Sequence, residues 1–392
     1  MDPDLSRLDD YLADADLDGY LVNASAEDAT QRYLSGFSAP DPYTTLYTAE
    51  GDTHLLVSGL EYGRAKKEAR GGAERPTDYD RRAKVEEYGP TEGGHRVVAE
   101  WLVDKGVDSV ATPSRFPLGL ADGLRGLDVD VTADHDDVVE QVRAVKTEAE
   151  IDNVREAQEA NEKAMATAER MLREADPDVD GVLHLDGEVL TSERIQQEIE
   201  VTLLREGCAL DETIVACGAQ AADPHERGHG PLYEDEAIIV DIFPRSKATG
   251  YYADMTRTFV VGEPSDTIAE WYDLTADALD AALAELEAGV SGSVVHGAAC
   301  DVYEDAGLPT LRADESAETG FIHSTGHGVG LDIHEYPRLS TQENELEAGM
   351  VVTVEPGLYD PDVGGVRIED IVVVREDGYE NLTRYDRSLV VD

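Results

Sequence analysis

The chain has 392 residues, enough for two or three domains with large cores. It carries 85 Asp and Glu against 32 Lys and Arg, a formal net charge of −53, and 41% of its residues are hydrophobic. This composition disfavours a nucleic-acid partner, which needs a basic stripe to neutralise phosphate, and disfavours disorder, because the acids are woven into ordinary amphipathic pattern. Adaptation to a halophilic cytoplasm fits instead. At 1 M ionic strength the Debye length is roughly 3 Å, which screens the mutual repulsion of the acids. The cations are mostly Arg, with Lys only at Lys66, Lys67, Lys84, Lys105, Lys146, Lys163 and Lys247.

The N-terminal run MDPDLSRLDDYL has neither a basic nor an apolar leader segment, so no secretory signal is expected. No apolar run approaches the roughly 20 residues of a bilayer span, so the expectation is a cytoplasmic protein that does not engage membranes. An amphipathic helix (Leu5, Leu8, Leu12) precedes the strand GYLVN at Tyr20 to Asn23. A helix at Ala29 to Leu34, strands at Thr44 to Tyr47 and His54 to Val57, and helices at Tyr62 to Ala69 and Val97 to Val103 follow. Strands at Ser109 to Ala111 and Val129 to Val131 flank a helix at Leu118 to Leu124. Strands alternating with helices define an α/β domain. The stretch from Gly71 to Pro90 is charged and lacks apolar periodicity, which predicts a surface loop.

A domain boundary falls between residues 142 and 148, giving units 1–142 and 148–392. Thr147 and Glu150 have capping-box spacing, and Ile151, Val154, Ala157, Ala164, Ala168 and Leu172 repeat at helical spacing after them. Asp176 to Thr191 interrupts with turn formers, and helix resumes from Ser192 to Leu204. Strands are predicted at Thr213 to Ala216, Ala237 to Phe243 and Tyr251 to Val261. Helices follow at Thr267 to Leu286 and Val294 to Ala306, then strands at Val351 to Val354 and Val366 to Val374. Strands on both sides of a helical middle suggest two similar halves around one site. Cys208, Cys217 and Cys300 form no CxxC and read as buried, inert thiols.

Four carboxylates and one imidazole stand in short phrases of this second unit: Asp241 in IIVDIF, Asp254 in GYYADMTRTF, His327 in HSTGHGVGLDIHE, Glu355 in VVTVEPGLY and Glu369 in GVRIEDIVVV. Singly, each acid has about even odds of being a solvated strand-edge residue. Together, four of the five lie in or beside β-branched runs, where a buried charge costs several kcal/mol unless something compensates it. Two divalent cations would balance four carboxylates, with neutral imidazole as a fifth donor. Mixed oxygen and nitrogen donors favour manganese, cobalt or zinc over magnesium or calcium. Such a pair acidifies water and polarises a carbonyl. With Arg367 the only obvious cation nearby, a phosphate clamp is missing and phosphoester chemistry is disfavoured. His225 and His229, in DPHERGHGPL, lie on a loop leading to the Asp241 strand and could face the same cavity.

Taken together, these phrases resemble, in order and spacing, the pita-bread metallopeptidases: aminopeptidase P, prolidase and methionine aminopeptidase. The resemblance is strong from about residue 148 onwards. It extends to the first unit, which is similar to the creatinase/prolidase N-terminal domain. It implies an α/β N-terminal domain followed by a pseudo-twofold α+β pita-bread catalytic domain. Asp241 would bind one metal, Asp254 and Glu369 would bridge both, and His327 and Glu355 would bind the other, with manganese first in expectation. Glu355 would also move a proton, His334 would steady the tetrahedral intermediate, and His225 would match the family's catalytic histidine preceding the first Asp strand. His323 and Arg367 would line the proline side of the pocket. The implied activity is release of an N-terminal residue ahead of proline from peptides, with Xaa-Pro dipeptide cleavage as the alternative, and the implied assembly is a homodimer. The sequence departs from the family where Asp241 is followed by Ile242-Phe243 rather than a small residue and Gly, where 13 positions (254 − 241) separate the first two acids, and where Ser324 replaces Gly. A non-catalytic peptide-binding member, or a metal-free creatinase-type hydrolase, would be missing donors, and none is missing here.

The charge predicts that the melting temperature falls as KCl is lowered well below 1 M, when the acids are no longer screened. Thermal unfolding at 0.1, 1 and 3 M KCl checks this, and a melting temperature indifferent to salt would refute it.

Overall fold

The computed structural model describes residues 3–391. It divides into two units, one up to Arg143 and one from Ala144.

The first unit is built on a six-stranded sheet of order β4-β3-β2-β1-β5-β6. Its strands are β1 (Gly19–Ala24), β2 (Tyr43–Thr48), β3 (Thr53–Leu56), β4 (Gly72–Glu74), β5 (Ser109–Thr112) and β6 (Asp130–Ala133). Strands β1, β2 and β3 are antiparallel neighbours, whereas β4, β5 and β6 join in parallel. Helices α1 (Ser6–Asp14), α2 (Ala29–Ser35), α3 (Tyr62–Glu68), α4 (Arg81–Tyr88), α5 (Pro90–Asp104), α6 (Leu118–Arg125) and α7 (Val138–Ala144) alternate with them. Trp101, Leu102, Leu21, Val110 and Leu124 share the main core.

The predicted surface loop from Gly71 to Pro90 is instead ordered: it holds β4, a 3-10 turn at Pro76–Tyr79, and α4. Helix α4 buries no residue, which explains the missing apolar period. Polar contacts fix β4 and the turn beside it. The Glu74 carboxylate accepts from Trp101 Nε1 (2.7 Å), Tyr79 Oη (2.7 Å) and Lys105 Nζ (2.5 Å). Gly93 lets α5 approach closely, since a Cβ there would lie 2.8 Å from the Lys84 carbonyl.

In the second unit, Thr147 and Glu150 form the anticipated capping box at the start of α8 (Glu148–Arg173). The turn-rich segment after it folds into a small antiparallel sheet of β7 (Asp176–Pro177), β8 (Leu183–Leu185) and β9 (Glu188–Val189). Helix α9 (Ser192–Arg205) follows. A short pair, β10 (Cys208–Ala209) with β13 (Arg245–Ser246), flanks an antiparallel sheet of β11 (Thr213–Cys217), β12 (Ile238–Ile242) and β14 (Met255–Phe259). Ile195, Ile199, Leu203, Val215, Val240 and Ile242 pack in one core.

The second half repeats the scheme: helices α10 (Asp266–Ala284) and α11 (Gly292–Asp305) pack on a five-stranded sheet. Its order is β16-β15-β17-β20-β21, formed by β15 (Gly326–Gly328), β16 (Glu335–Leu339), β17 (Val351–Val354), β20 (Asp370–Arg375) and β21 (Gly378–Asn381). The single strand expected from Val366 to Val374 is broken at Ile368-Glu369. Before the break, β19 (Gly364–Arg367) pairs with β18 (Gly357–Asp360); after it, β20 pairs with β17. At the break the Glu369 amide donates to Thr256 O of β14 (3.1 Å), so the interruption ties the two halves together. All three cysteines are buried and unbonded to one another.

Two polar links run from the start of α8 to the loops of the site. Lys146 Nζ donates to the Glu335 carboxylate at 3.0 Å, with both side chains 1% exposed, and Tyr251 Oη donates to Glu150 (2.6 Å). Removing one partner of a buried ion pair strands the other charge. Lys146→Met is therefore expected to destabilise the protein by about 3–5 kcal/mol. Glu148→Ala, which removes an exposed acid from Arg375, should cost less than about 1 kcal/mol. Comparative thermal unfolding in molar KCl reads the contrast, and equal shifts would refute it.

Candidate metal centre

The five predicted donors come from five separate segments, and the fold collects them in one cavity of about 910 Å³. Asp241 lies on β12, where strand alternation sends Val240 and Ile242 to the core and Asp241 to the cavity. Asp254 ends the turn before β14, His327 is on β15, Glu355 follows β17, and Glu369 occupies the break before β20. Donor atoms of Asp254, His327 and Glu369 lie within 4.8 Å of one another, and all three residues are buried. Glu355 joins them, 3.5 Å from His327 Nε2, with Asp254 at 3.8 Å from the same nitrogen. Asp241 is held slightly apart, with its Oδ2 accepting from Arg367 Nη2 at 2.8 Å.

The donor chemistry fits a cation. His327 Nδ1 contacts Gly328 O at 3.1 Å, so that nitrogen carries the proton and the Nε2 lone pair faces the carboxylates. Burial, followed by His334, pushes His327 down to about 3, so it is neutral. Burial and then Glu369, Asp241 and Glu355 push Asp254 well above the usual carboxylate range. Burial and then Glu355 and Asp241 do the same to Glu369, and burial raises Glu355 to about 7. Asp241 Oδ1 and Glu369 Oε1 are buried with no hydrogen-bond partner. Buried lone pairs converging without donors are what metal ions satisfy.

Supporting contacts aim these acids. Thr256 Oγ1 donates to Glu369 Oε2 (2.8 Å), and the Glu355 carboxylate accepts from Thr353 Oγ1 (3.3 Å). Behind Glu369, buried Arg257 donates to the carbonyls of Glu369 (2.7 Å) and Thr256 (2.9 Å) and to Asp370 Oδ1 (2.9 Å). Arg367 is buried; burial opposes its charge, but Tyr359, Asp241 and Glu355 hold its pKa well above the usual value. Its Nη1 donates to Tyr359 Oη (2.8 Å), which stands 3.0 Å from His323 Nε2, while His323 Nδ1 stands 2.7 Å from Ser324 O. With the Tyr359 hydroxyl donating onward, His323 is a neutral Nδ1–H imidazole, and burial and then Arg367 push it down to about 3.

His225 and His334 also line the cavity, whereas His229 does not. Instead, Gln220 brackets the His229 backbone, donating to its carbonyl and accepting from its amide. The His334 ring packs edge-on against His327 with centroids 4.3 Å apart. Burial and then Arg338 lower its pKa. Three contributors were missed from sequence: Thr256, Tyr359 and Arg338. Arg338, on β16 opposite His327, lines the cavity exposed and without an ion-pair partner among the described residues. Its signal was an Arg four residues past His334 in a chain where acids outnumber cations.

This donor set on paired halves is that of a metallopeptidase. Residues 152–376 match metallopeptidase family M24 and residues 5–145 match the creatinase/prolidase N-terminal domain, and the chain belongs to the M24 family. It is 27% identical over 395 residues to an Xaa-Pro dipeptidase of Pyrococcus horikoshii, covering 100% of this chain and 99% of that one. It is 35% identical over 285 residues to a probable dipeptidase PepE of Mycobacterium bovis, covering 71% and 68%. The crystal structure of an X-Pro aminopeptidase from Thermotoga maritima matches it with a TM-score of 0.79 at 28% identity, covering 96% and 98%. Among the described residues no helix is long and apolar enough to cross a membrane.

Crowding of the acids sets a pH dependence. In the metal-free fold, burial and mutual repulsion leave Asp254, Glu355 and Glu369 protonated at pH values where the unfolded chain has released those protons, so their stabilising contribution is present at low pH and lost as pH rises, for Glu355 through about 7. The melting temperature of manganese-loaded protein minus that of chelated protein is expected to widen from pH 5 to pH 8. A gap that is constant or narrows with pH would contradict the crowding.

Proposed function

We propose that the chain is a two-metal exopeptidase that cleaves Xaa-Pro dipeptides, and that longer Xaa-Pro peptides are its lesser substrates. The dipeptide reading, the alternative at the sequence level, now takes precedence over the aminopeptidase reading. The observation that carries it is Arg338: an unpaired guanidinium at the cavity wall suits the carboxylate that a dipeptide presents one residue beyond the scissile bond. The Xaa-Pro dipeptidase and probable dipeptidase among the relatives support the same choice.

Asp241, Asp254, His327, Glu355 and Glu369 would hold two divalent ions, manganese before cobalt or zinc, with Asp254 and Glu369 shared. When bound, the pair supplies Lewis acidity toward the scissile carbonyl and acidifies water. The chain's own residues do the rest. Glu355 takes a proton and returns it to the leaving proline nitrogen. His334, neutral, donates an N–H to the carbonyl oxygen as charge develops there, and His225 approaches from the β12 side. His323 and Arg367, locked through Tyr359, form the wall beside the proline ring. The reading includes a cytoplasmic homodimer, for which scattering or sedimentation in molar KCl is the check.

With manganese in molar KCl, Leu-Pro is expected to be cleaved with at least about tenfold higher kcat/KM than Leu-Pro-Gly. Arg338→Leu should raise KM for Leu-Pro by about 10- to 100-fold, the worth of one charge-assisted pair, and leave the tripeptide little changed. Asp254→Ala and Glu369→Ala should lose both activity and bound metal. Wild-type preference for the tripeptide would restore the aminopeptidase reading, and full activity in the Asp254 or Glu369 variant would overturn the site.

A further inference from the structure

Strand β12 runs through the cavity and gives it two chemically different ends. Its registers with β11 and β14 pair Asp241 with Ile214 and with Thr256. Continued by two residues, they set Phe243 between Glu212 on one side and Asp254 on the other. The hydrogen bond from Ala253 N to Pro244 O (3.0 Å) keeps β12 and its β14 neighbour aligned beyond that point. Glu212, Ile214, Asp241, Phe243 and Asp254 all line the cavity. In the opposite direction Ile239 packs with Ala216 and Tyr359, and Tyr359 carries the bonds to Arg367 and His323. At a rise of about 3.3 Å per residue, Ile239 and Phe243 stand about 13 Å apart along the strand, with Asp241 midway.

The end marked by Tyr359, His323 and Arg367 is the one assigned above to proline. The Phe243 end lies across the donors from it, where the residue on the amino side of the scissile bond must extend. Glu212 at this end is ion-paired with Arg227, so its charge is already answered. The apolar surface on β12 at this end is the half-buried Phe243 ring. An aromatic face partly open to a cavity gains by covering its remaining apolar surface.

We propose that Phe243 forms the subsite for the side chain of the substrate's N-terminal residue and selects a bulky apolar residue there. The inference rests on the Xaa-Pro reading. Phe243 is one of the positions where the sequence departs from its family, so the selectivity belongs to this chain's own cavity.

The test compares kcat/KM for Leu-Pro and Gly-Pro in the manganese-loaded protein, as a ratio within each variant, so that the active fraction cancels. Wild type is expected to favour Leu-Pro by at least about tenfold, the scale on which an apolar pocket discriminates. Phe243→Ala should reduce that ratio roughly tenfold, and Phe243→Leu should give an intermediate ratio, with metal content measured in each. A ratio unchanged in both variants, with Xaa-Pro dipeptides still cleaved, overturns the subsite alone. Failure of metal-loaded wild type to cleave either dipeptide overturns the Xaa-Pro reading and this inference with it.

Discussion

Four carboxylates and an imidazole lone pair converge in one cavity, where the buried guanidinium of Arg367 pairs with Asp241. Burial weakens the screening of these charges, so their repulsion must be opposed by rigid covalent and hydrogen-bonded geometry until cations arrive. Much of the surrounding architecture follows from that requirement. Each acid is set on or beside a strand rather than on a free loop. Thr256 and Thr353 each give one hydrogen bond to a carboxylate, and Arg257 fixes the backbone on which Glu369 stands. Lys146 and Glu150 brace the loops carrying His334 and Asp254 from behind.

The distribution of cations reflects the same economy. In a chain of 32 Lys and Arg against 85 acids, Lys146, Arg257 and Arg367 are buried around the site. Each of these three makes an ion pair shielded from bulk salt, where screening is weak and attraction persists. The interior thus answers its acids with its own arginines and lysine, while the exterior carries most of the excess negative charge. Surface acidity and site integrity are therefore separable properties of this chain.

The clustering of these residues was legible in the sequence because a carboxylate in a β-branched run conflicts with its surroundings, and four such conflicts in short phrases admit few explanations. The capping box at Thr147 and Glu150 and the strands around Asp241 were legible from equally local signals. Other features were not. Helix α4 has no apolar face, so periodicity could not find it. The break at Ile368-Glu369 is invisible because Val366 to Val374 reads as one unbroken strand, and only pairing with two different partners divides it. Tyr359, Thr256 and Arg338 act through cross-strand register, which links residues up to 113 positions apart and leaves no trace in local pattern.

The interruption at Glu369 also bears on how the protein matures. The first donor, Asp241, leaves the ribosome well over a hundred residues before the last, and the two belong to different sheets. Until Glu369 is pinned to Thr256 O, the carboxylates of the two halves do not form one set. Completing that set thus depends on a contact between residues 113 positions apart, of the long-range kind that slows folding. A cation that needs oxygens from both halves has no complete cradle before that contact forms.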